Sequence, residues 1–450
     1  MYAMRRIHLT ATVIAALSAL VLLPTLGSAQ PTPRNIIVMI ADGCGFYHMQ
    51  AANLYEHGTT DSPLYAAFPV QLAMSTYAAG GGYDPALAAQ QFDYVASGAT
   101  DSAAAATAMA CGIKTYAGAI GVNEERRPVM NVVERAEELG RATGVVTSVQ
   151  ISHATPAGFV AHDESRGNYA EIAAEMIDDS AVEVIMGAGH PEYDNSGRPV
   201  EGEGDYRYVG DEETWAALRA ATAGGDADGD GTPDPWTLIE SVDDFRALQE
   251  GEAPARVIGV ARVATTLQQA RAADGDDPAA EAPFTVPLNE GVPTLAEMTR
   301  GALNVLDDDP DGLLMMIEGG AVDWAGHANQ CGRMIEEQLD FNHAVEAVVA
   351  WVEAHNSWDE TLLVVTADHE TGFLNGPGEE DAWCPLQTCA RGTQPAVRWH
   401  SGSHTNSLVP FFARGAGAER FVERATGEDP ARGRYLDNTD LAAVLFEALQ

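Results

Sequence analysis

In the stretch Ala99-Thr-Asp-Ser102-Ala-Ala-Ala-Ala-Thr-Ala-Met-Ala-Cys-Gly112, an acid and a hydroxyl stand directly before an alanine-rich run. Alanine is the strongest helix former, Asp101 or Ser102 can cap the first turn, and Gly112 can end the last, so Ser102 is expected at or beside a helix N-terminus. The free amides and the positive end of the macrodipole there suit an incoming phosphate or a developing oxyanion, where a nucleophilic hydroxyl would be useful. Taken alone, Thr-Asp-Ser before a helix is an ordinary cap, because capping needs no chemistry.

Other groups add to this one. Asp323-Trp-Ala-Gly-His327 sets an acid and an imidazole four residues apart, a spacing that brings both to one side of a helical turn where they could grip a divalent metal. Asp368-His369 offers a second carboxylate and imidazole, and Ser401-Gly-Ser-His404 places a further histidine in a loop. An isolated histidine near a strand end is ordinarily structural. Several strand tips carrying acid or imidazole together point instead to a metal site.

The elements that must bring these groups together are legible as short apolar runs that end abruptly in polar residues. They are Asn35-Ile-Ile-Val-Met-Ile-Ala-Asp42, Thr143-Gly-Val-Val-Thr-Ser-Val-Gln-Ile-Ser-His153-Ala-Thr155, Gly312-Leu-Leu-Met-Met-Ile-Glu318 and Thr361-Leu-Leu-Val-Val-Thr-Ala-Asp368-His369. Continuous apolar runs mark strands buried on both faces. Val182–Gly187 and Pro410–Gly415 read as further strands, with helical patterns at Met130–Leu139, Tyr169–Met176, Leu295–Leu306, Met334–Trp351 and Asp440–Leu449. This alternation predicts an α/β fold, a mostly parallel central sheet covered by helices on both faces, with ligands bound outside the carboxyl ends of the strands.

Composition narrows the setting. Sixty-six acidic against 25 basic residues give a formal charge of −41 over 450 residues, which repels nucleic acid and anionic membrane surfaces, so no nucleic-acid partner is expected. Residues 1–29 carry Arg5-Arg6, an apolar run from Leu9 to Leu26 and then Gly27-Ser28-Ala29, the pattern of a signal peptide with a small-residue cleavage site; a periplasmic or secreted location follows, with Arg5-Arg6 a weak sign of twin-arginine export. No later run is long and apolar enough to span a bilayer. Of five cysteines, Cys384 and Cys389 are expected to form a disulfide, and Cys44, Cys111 and Cys331 read as buried thiols. The remainder, 30–450, reads as one catalytic domain, as a monomer or a homodimer.

Residues from about 190 to 292 break the strand-helix rhythm with Gly, Pro and acid clusters, and read as an irregular acidic insertion, a lid over the site or an oligomer contact. Within it Asp226, Asp228, Asp230 and Asp234 fall at positions one, three, five and nine of a loop with Gly231 at six, which resembles a calcium loop over 226–237. The twelfth position is Thr237 rather than Glu, which weakens the site, and a solvated acidic turn is the competing reading.

Taken together, Ile40-Ala-Asp42-Gly, Thr100-Asp-Ser102-Ala-Ala, Gly112-Ile-Lys-Thr-Tyr-Ala-Gly-Ala-Ile-Gly121, His153-Ala-Thr155-Pro, Ile317-Glu318-Gly-Gly, Asp323-Trp-Ala-Gly-His327, Thr366-Ala-Asp368-His369-Glu370-Thr-Gly and Ser403-His404-Thr make the chain resemble the metal-dependent alkaline phosphatases. The pieces come in the family's order. The resemblance implies two zinc ions and one magnesium: Asp323, His327 and His404 on the first zinc, Asp42, Asp368 and His369 on the second. Asp42 would bridge to magnesium beside Thr155 and Glu318, with His153 a ligand or the partner of a bound water. It also implies Ser102 as nucleophile, Arg166 gripping the phosphate, and phosphate monoesters as substrates. Trp324 stands where some relatives have Lys or His, a trait of marine bacterial members. A phosphodiesterase or sulfatase on a similar sheet, and a non-catalytic binder of zinc, calcium or phosphate, are the alternatives. His48, His57, His162, His190, His343, His355 and His400 lack partner motifs and read as structural or exposed.

Overall fold

The apolar runs become the strands of one sheet because each is buried on both faces. The computed structural model describes residues 32–273, 278–355 and 357–450, so the expected signal peptide over 1–29 lies outside the described residues. In chain order the elements that matter here are β1 (Asn35–Ala41), α1 (Phe46–His57), β2 (Val70–Ser75), α2 (Ser102–Cys111), β3 (Ala142–Gln150), α3 (Ala154–Val160), β4 (Val184–Ala188), β5 (Thr237–Ile239) and β6 (Val257–Val260). They continue with α4 (Leu295–Leu306), β7 (Leu313–Gly319), α5 (Ala321–His327), α6 (Cys331–His355), β8 (Thr361–Thr366), β9 (Val409–Gly415), β10 (Gly427–Asp429), β11 (Gly433–Asp437) and α7 (Thr439–Ala448).

These strands form an 11-stranded sheet in the order β10-β11-β2-β9-β8-β1-β7-β3-β4-β6-β5. Neighbours run parallel except at β9, antiparallel to β2 and β8, and at β10, antiparallel to β11. The four strands expected to carry chemistry are therefore adjacent, as β8-β1-β7-β3. Their registers pair Ile40 with Glu318, Ile40 with Thr366 and Thr147 with Glu318, so the strands end in step and their following residues emerge along one edge. That edge is where open α/β sheets bind ligands.

Helices α1, α4 and α6 form one packed group against the strands, and α2, α3 and α7 form another. Every residue of α2 is buried. Its alanines admit a close approach by α3, where a Cβ on Gly158 would lie 2.7 Å from the Ala106 Cβ. A larger residue at either position would push the helix that begins with Ser102 off the sheet.

Two expectations are corrected. The stretch from 190 to 292 is not irregular throughout: β5 and β6 add to the β4 edge of the central sheet in parallel, and at three and four residues they are too short for a periodic signal to stand out from the surrounding acidic loops. Cys384 and Cys389 are free thiols. Each thiol has its own neighbour: Cys389 Sγ donates to the Thr393 carbonyl at 3.2 Å and Cys384 Sγ is seated over Gly378. Cys44, Cys111 and Cys331 are buried as expected. No helix among the described residues is long and apolar enough to cross a membrane.

Candidate active site

Asp42 follows β1, Glu318 sits near the end of β7, Asp368 and His369 follow β8, and His153 and Thr155 lie where β3 gives way to α3. The turn after β7 enters α5, which carries Asp323 and His327 at the four-residue spacing, and His404 arrives from a short strand paired with Glu370 and Thr371. Three groups result. Asp323, His327 and His404 form one, Asp42, Asp368 and His369 a second, and Asp42, His153 and Glu318 a third, with candidate ligand atoms in each group within 4.8 Å of one another.

In the first group the Nε2 atoms of His327 and His404 are 3.0 Å apart, and each lies 3.4 Å from Asp323 Oδ1. Their other ring nitrogens are anchored on carbonyls, His327 Nδ1 to Gly402 at 2.8 Å and His404 Nδ1 to Thr100 at 2.9 Å, so both Nε2 atoms face inward. In the second group His369 Nε2 lies 3.2 Å from Asp368 Oδ2 and 3.5 Å from Asp42 Oδ1. Asp368 Oδ1 accepts the amides of Gly43 and His369 at 3.0 and 2.9 Å, which leaves Oδ2 for the site. The groups touch through the rings of His369 and His404, stacked at 3.6 Å.

Ser102 is the first residue of α2, and Asp101 caps the helix by accepting the Ala104 amide at 3.1 Å. Its Oγ lies 3.2 Å from His369 Nε2, so the hydroxyl faces the second group from the positive end of the helix. Asp101 also receives Arg166 Nη1 at 3.1 Å and the Gly118 amide, and Arg166 Nη2 lies 3.3 Å from His153 Nε2. Burial opposes the Arg166 charge, but Asp101 outweighs it and holds the guanidinium pKa above its usual value.

Electrostatics identify what this cluster would accept. Burial first, then the carboxylates of Asp368, Asp323 and Glu318, push the Asp42 carboxyl well above its ordinary range. Burial likewise raises Asp368 to about 6 and Glu318 to about 7. Burial and then His404 hold His369 well below its usual value, and burial and then Arg166 bring His153 down to about 3. Burial works against the Asp323 charge, yet the hydrogen bond to His404 and the neighbouring imidazoles hold it below the carboxylate range. Both oxygens of Asp42, Asp368 Oδ2, Glu318 Oε1, Thr155 Oγ1 and His153 Nδ1 are buried without a hydrogen-bond partner. A divalent cation takes these lone pairs and relieves the repulsion that raises the carboxyls, so the residues fit metal ions. Imidazole with carboxylate suits zinc, and the all-oxygen set of Asp42, Thr155 and Glu318 suits magnesium.

All the site residues expected from sequence outside the calcium loop are thus brought together. Asp226, Asp228 and Asp230 form a separate exposed acidic group, and Asp234 Oδ2 closes the same turn on the Ala227 amide at 2.9 Å. Sequence reasoning assigned no role to several supporting residues. Thr371 Oγ1 donates to Asp323 Oδ1 at 2.5 Å and lies 3.3 Å from His369 Nδ1, tying the first group to the second. Thr147 donates to Glu318 Oε2. Gly43, at φ +77°, passes so close that a Cβ would lie 2.6 Å from Asp323 Cα. Thr371 and Gly43 sit inside the quoted motifs, which was the available signal; Thr147 gave none, since it reads as part of a buried strand. His48, read as structural, is fully buried with Nε2 2.9 Å from the Thr371 carbonyl.

Comparison with known proteins agrees with this geometry. The alkaline phosphatase family model matches residues 33–390, stopping short of His404. The chain is 32% identical to "Alkaline phosphatase H" of Pseudomonas aeruginosa, over 92% of this chain and 85% of that protein. It is 30% identical to "Alkaline phosphatase 3" of Bacillus subtilis, over 93% and 89%. Among solved structures, alkaline phosphatase from the Antarctic bacterium TAB5 superposes with a TM-score of 0.63 at 24% identity, covering 93% of this chain and 98% of that one. The family model spanning most of the chain, together with relatives at 30% identity or more over most of both sequences, places this chain in the alkaline phosphatase family.

Proposed function

We propose that this chain is an exported phosphatase that hydrolyses small phosphate monoesters to alcohol and inorganic phosphate through a phosphoserine formed on Ser102. The observation that carries this reading is the Ser102 hydroxyl, at the N-terminus of a fully buried helix and 3.2 Å from His369, next to both ligand groups. Asp323, His327 and His404 would hold one zinc, Asp42, Asp368 and His369 a second, and Asp42, Thr155 and Glu318 magnesium with His153 beside it. Bound there, the ions supply fixed positive charge to the phosphate and the leaving oxygen and lower the pKa of coordinated hydroxyl groups and water.

The chain's own residues then divide the work. Arg166, held by Asp101, presents a planar fork to two non-bridging oxygens, a geometry that lysine does not reproduce. Ser102 Oγ forms a bond to phosphorus as the bond to the leaving alcohol breaks, and the α2 macrodipole favours the developing negative charge. Water then cleaves the phosphoserine, restoring the hydroxyl and releasing phosphate. A location outside the cytoplasm rests on residues 1–29.

The test is Ser102→Ala in metal-loaded enzyme, with p-nitrophenyl phosphate as substrate and acid-quenched labelling as a second readout. Monoesterase activity falls about a thousandfold or more and the acid-stable phosphoprotein band disappears. Wild-type turnover in the variant would sink the covalent route.

A further inference from the structure

A cavity of about 270 Å³ lies between the first turn of α1, the segment that follows His369, and the β10–β11 hairpin. None of the candidate metal ligands lines it, nor do Ser102 and Arg166. Its walls are aromatic, from Phe46, Tyr47 and Tyr83 on one part and Phe373 and Trp383 on another. Into this apolar space the hairpin turn brings Arg432, whose guanidinium lies 4.2 Å from the centre of the Phe46 ring. Burial depresses its pKa against the opposing pull of Tyr47 and Asp429, and among the described residues no carboxylate comes within 4.0 Å of it.

Two acids also line the cavity; Asp429 offsets part of the Arg432 charge from beyond ion-pair distance, but the oxygens of both acids are hydrogen-bonded elsewhere. Asp429 Oδ2 accepts the Tyr83 hydroxyl at 2.8 Å and Oδ1 accepts the Ala431 and Arg432 amides at 2.8 Å each. Glu370 accepts the Leu374 amide at 2.9 Å and the Thr405 hydroxyl at 2.5 Å. The first turn of α1 adds positive potential. Its N-cap is Gly45, which has no side chain to accept a bond, and the Phe46 and Tyr47 amides meet no acceptor among the described residues.

We propose that this cavity binds a small aromatic anion, its ring among the aromatic walls and its charged group against Arg432 and the N-terminus of α1. The chemistry is complementary in both halves: stacking or edge contacts for the ring, and a charge-assisted bond for an oxyanion to a guanidinium that no carboxylate pairs within 4.0 Å among the described residues. Size agrees, since a buried apolar cavity of about 150 Å³ accommodates benzene and the remaining space takes a second ring or a carboxylate. The site is separate from the phosphate position, so its occupant does not compete with substrate there.

Calorimetric titration of the full metal-loaded protein with 2-naphthoate, with 2-naphthalenemethanol as neutral counterpart and saturating inorganic phosphate present, tests this. One naphthoate binds per chain, at least tenfold tighter than the alcohol, and phosphate does not displace it. Arg432→Met keeps the aliphatic stem over Phe46 and removes the preference for the anion. Ala89→Trp, at an exposed position lining the cavity, blocks both compounds and decides the matter if Arg432→Met does not fold. Equal affinity for the neutral compound, displacement by phosphate, binding weaker than about 10 mM, or unchanged binding in Ala89→Trp overturns the proposal.

Discussion

Replacing Arg166 by lysine separates charge from geometry at the proposed phosphate grip. In the structure the two terminal nitrogens of Arg166 each have one protein partner, Asp101 for Nη1 and His153 for Nη2, so each retains a second N–H and the pair can meet two oxygens of one phosphate. Lysine keeps the positive charge but has a single nitrogen, and Asp101 competes for it. The variant therefore loses about one charge-assisted hydrogen bond to substrate, about 1.5–3 kcal/mol, which is a drop of roughly tenfold to a hundredfold or more in kcat/KM. The assay is p-nitrophenyl phosphate hydrolysis at saturating zinc and magnesium, with the inhibition constant of inorganic phosphate measured in parallel. Both parameters weaken together, because the fork holds the same oxygens in substrate and product. Wild-type kcat/KM in Arg166→Lys, or an unchanged phosphate constant beside a large loss of activity, refutes the grip. Thermal stability stays within about 1 kcal/mol of wild type, as expected for a partly exposed ion pair, so loss of fold does not account for the change.

Chelation abolishes activity, and zinc with magnesium restores it. In the chelated chain the raised carboxyls of Asp42, Asp368 and Glu318 keep their protons to higher pH when folded than when unfolded, so its melting temperature falls as pH rises from about 4 through about 7, a loss that metal loading removes. Gly43→Ala forces a Cβ onto the Asp323 backbone at a positive φ; zinc content falls in metal analysis of the purified variant, and a fully loaded variant would contradict the close approach. On α6, burial pushes the Glu337 carboxyl up to about 8. Its folded pKa exceeds the unfolded one, so stability is lost between about pH 4.5 and 8. Glu337→Gln is more stable than wild type at pH 9, by up to about 5 kcal/mol, and equally stable at pH 4; equal stability at both pH values in chemical denaturation would refute this.

Much of the site was legible because each piece is local. The continuous apolar run before Asp42, the capping pattern around Ser102 and the four-residue spacing of Asp323 and His327 are set by neighbours in sequence, and the structure reproduces all three. The Cys384–Cys389 pairing failed because spacing says nothing of where a loop points its thiols. The strands β5 and β6 were invisible because β6 is held by pairing with β4, and β5 by pairing with β6, rather than by their own pattern.

By itself the chain determined which strand ends carry acids and imidazoles, since strand burial and helix capping follow from short-range periodicity. The order β8-β1-β7-β3 was decided only by tertiary structure, because strand pairing joins residues hundreds of positions apart. The same holds for Asp101 holding Arg166, Thr371 bridging Asp323 to His369, and Arg432 facing an aromatic cavity. Local pattern specifies what each tip can do; which tips share a few ångströms depends on packing that no window of sequence contains.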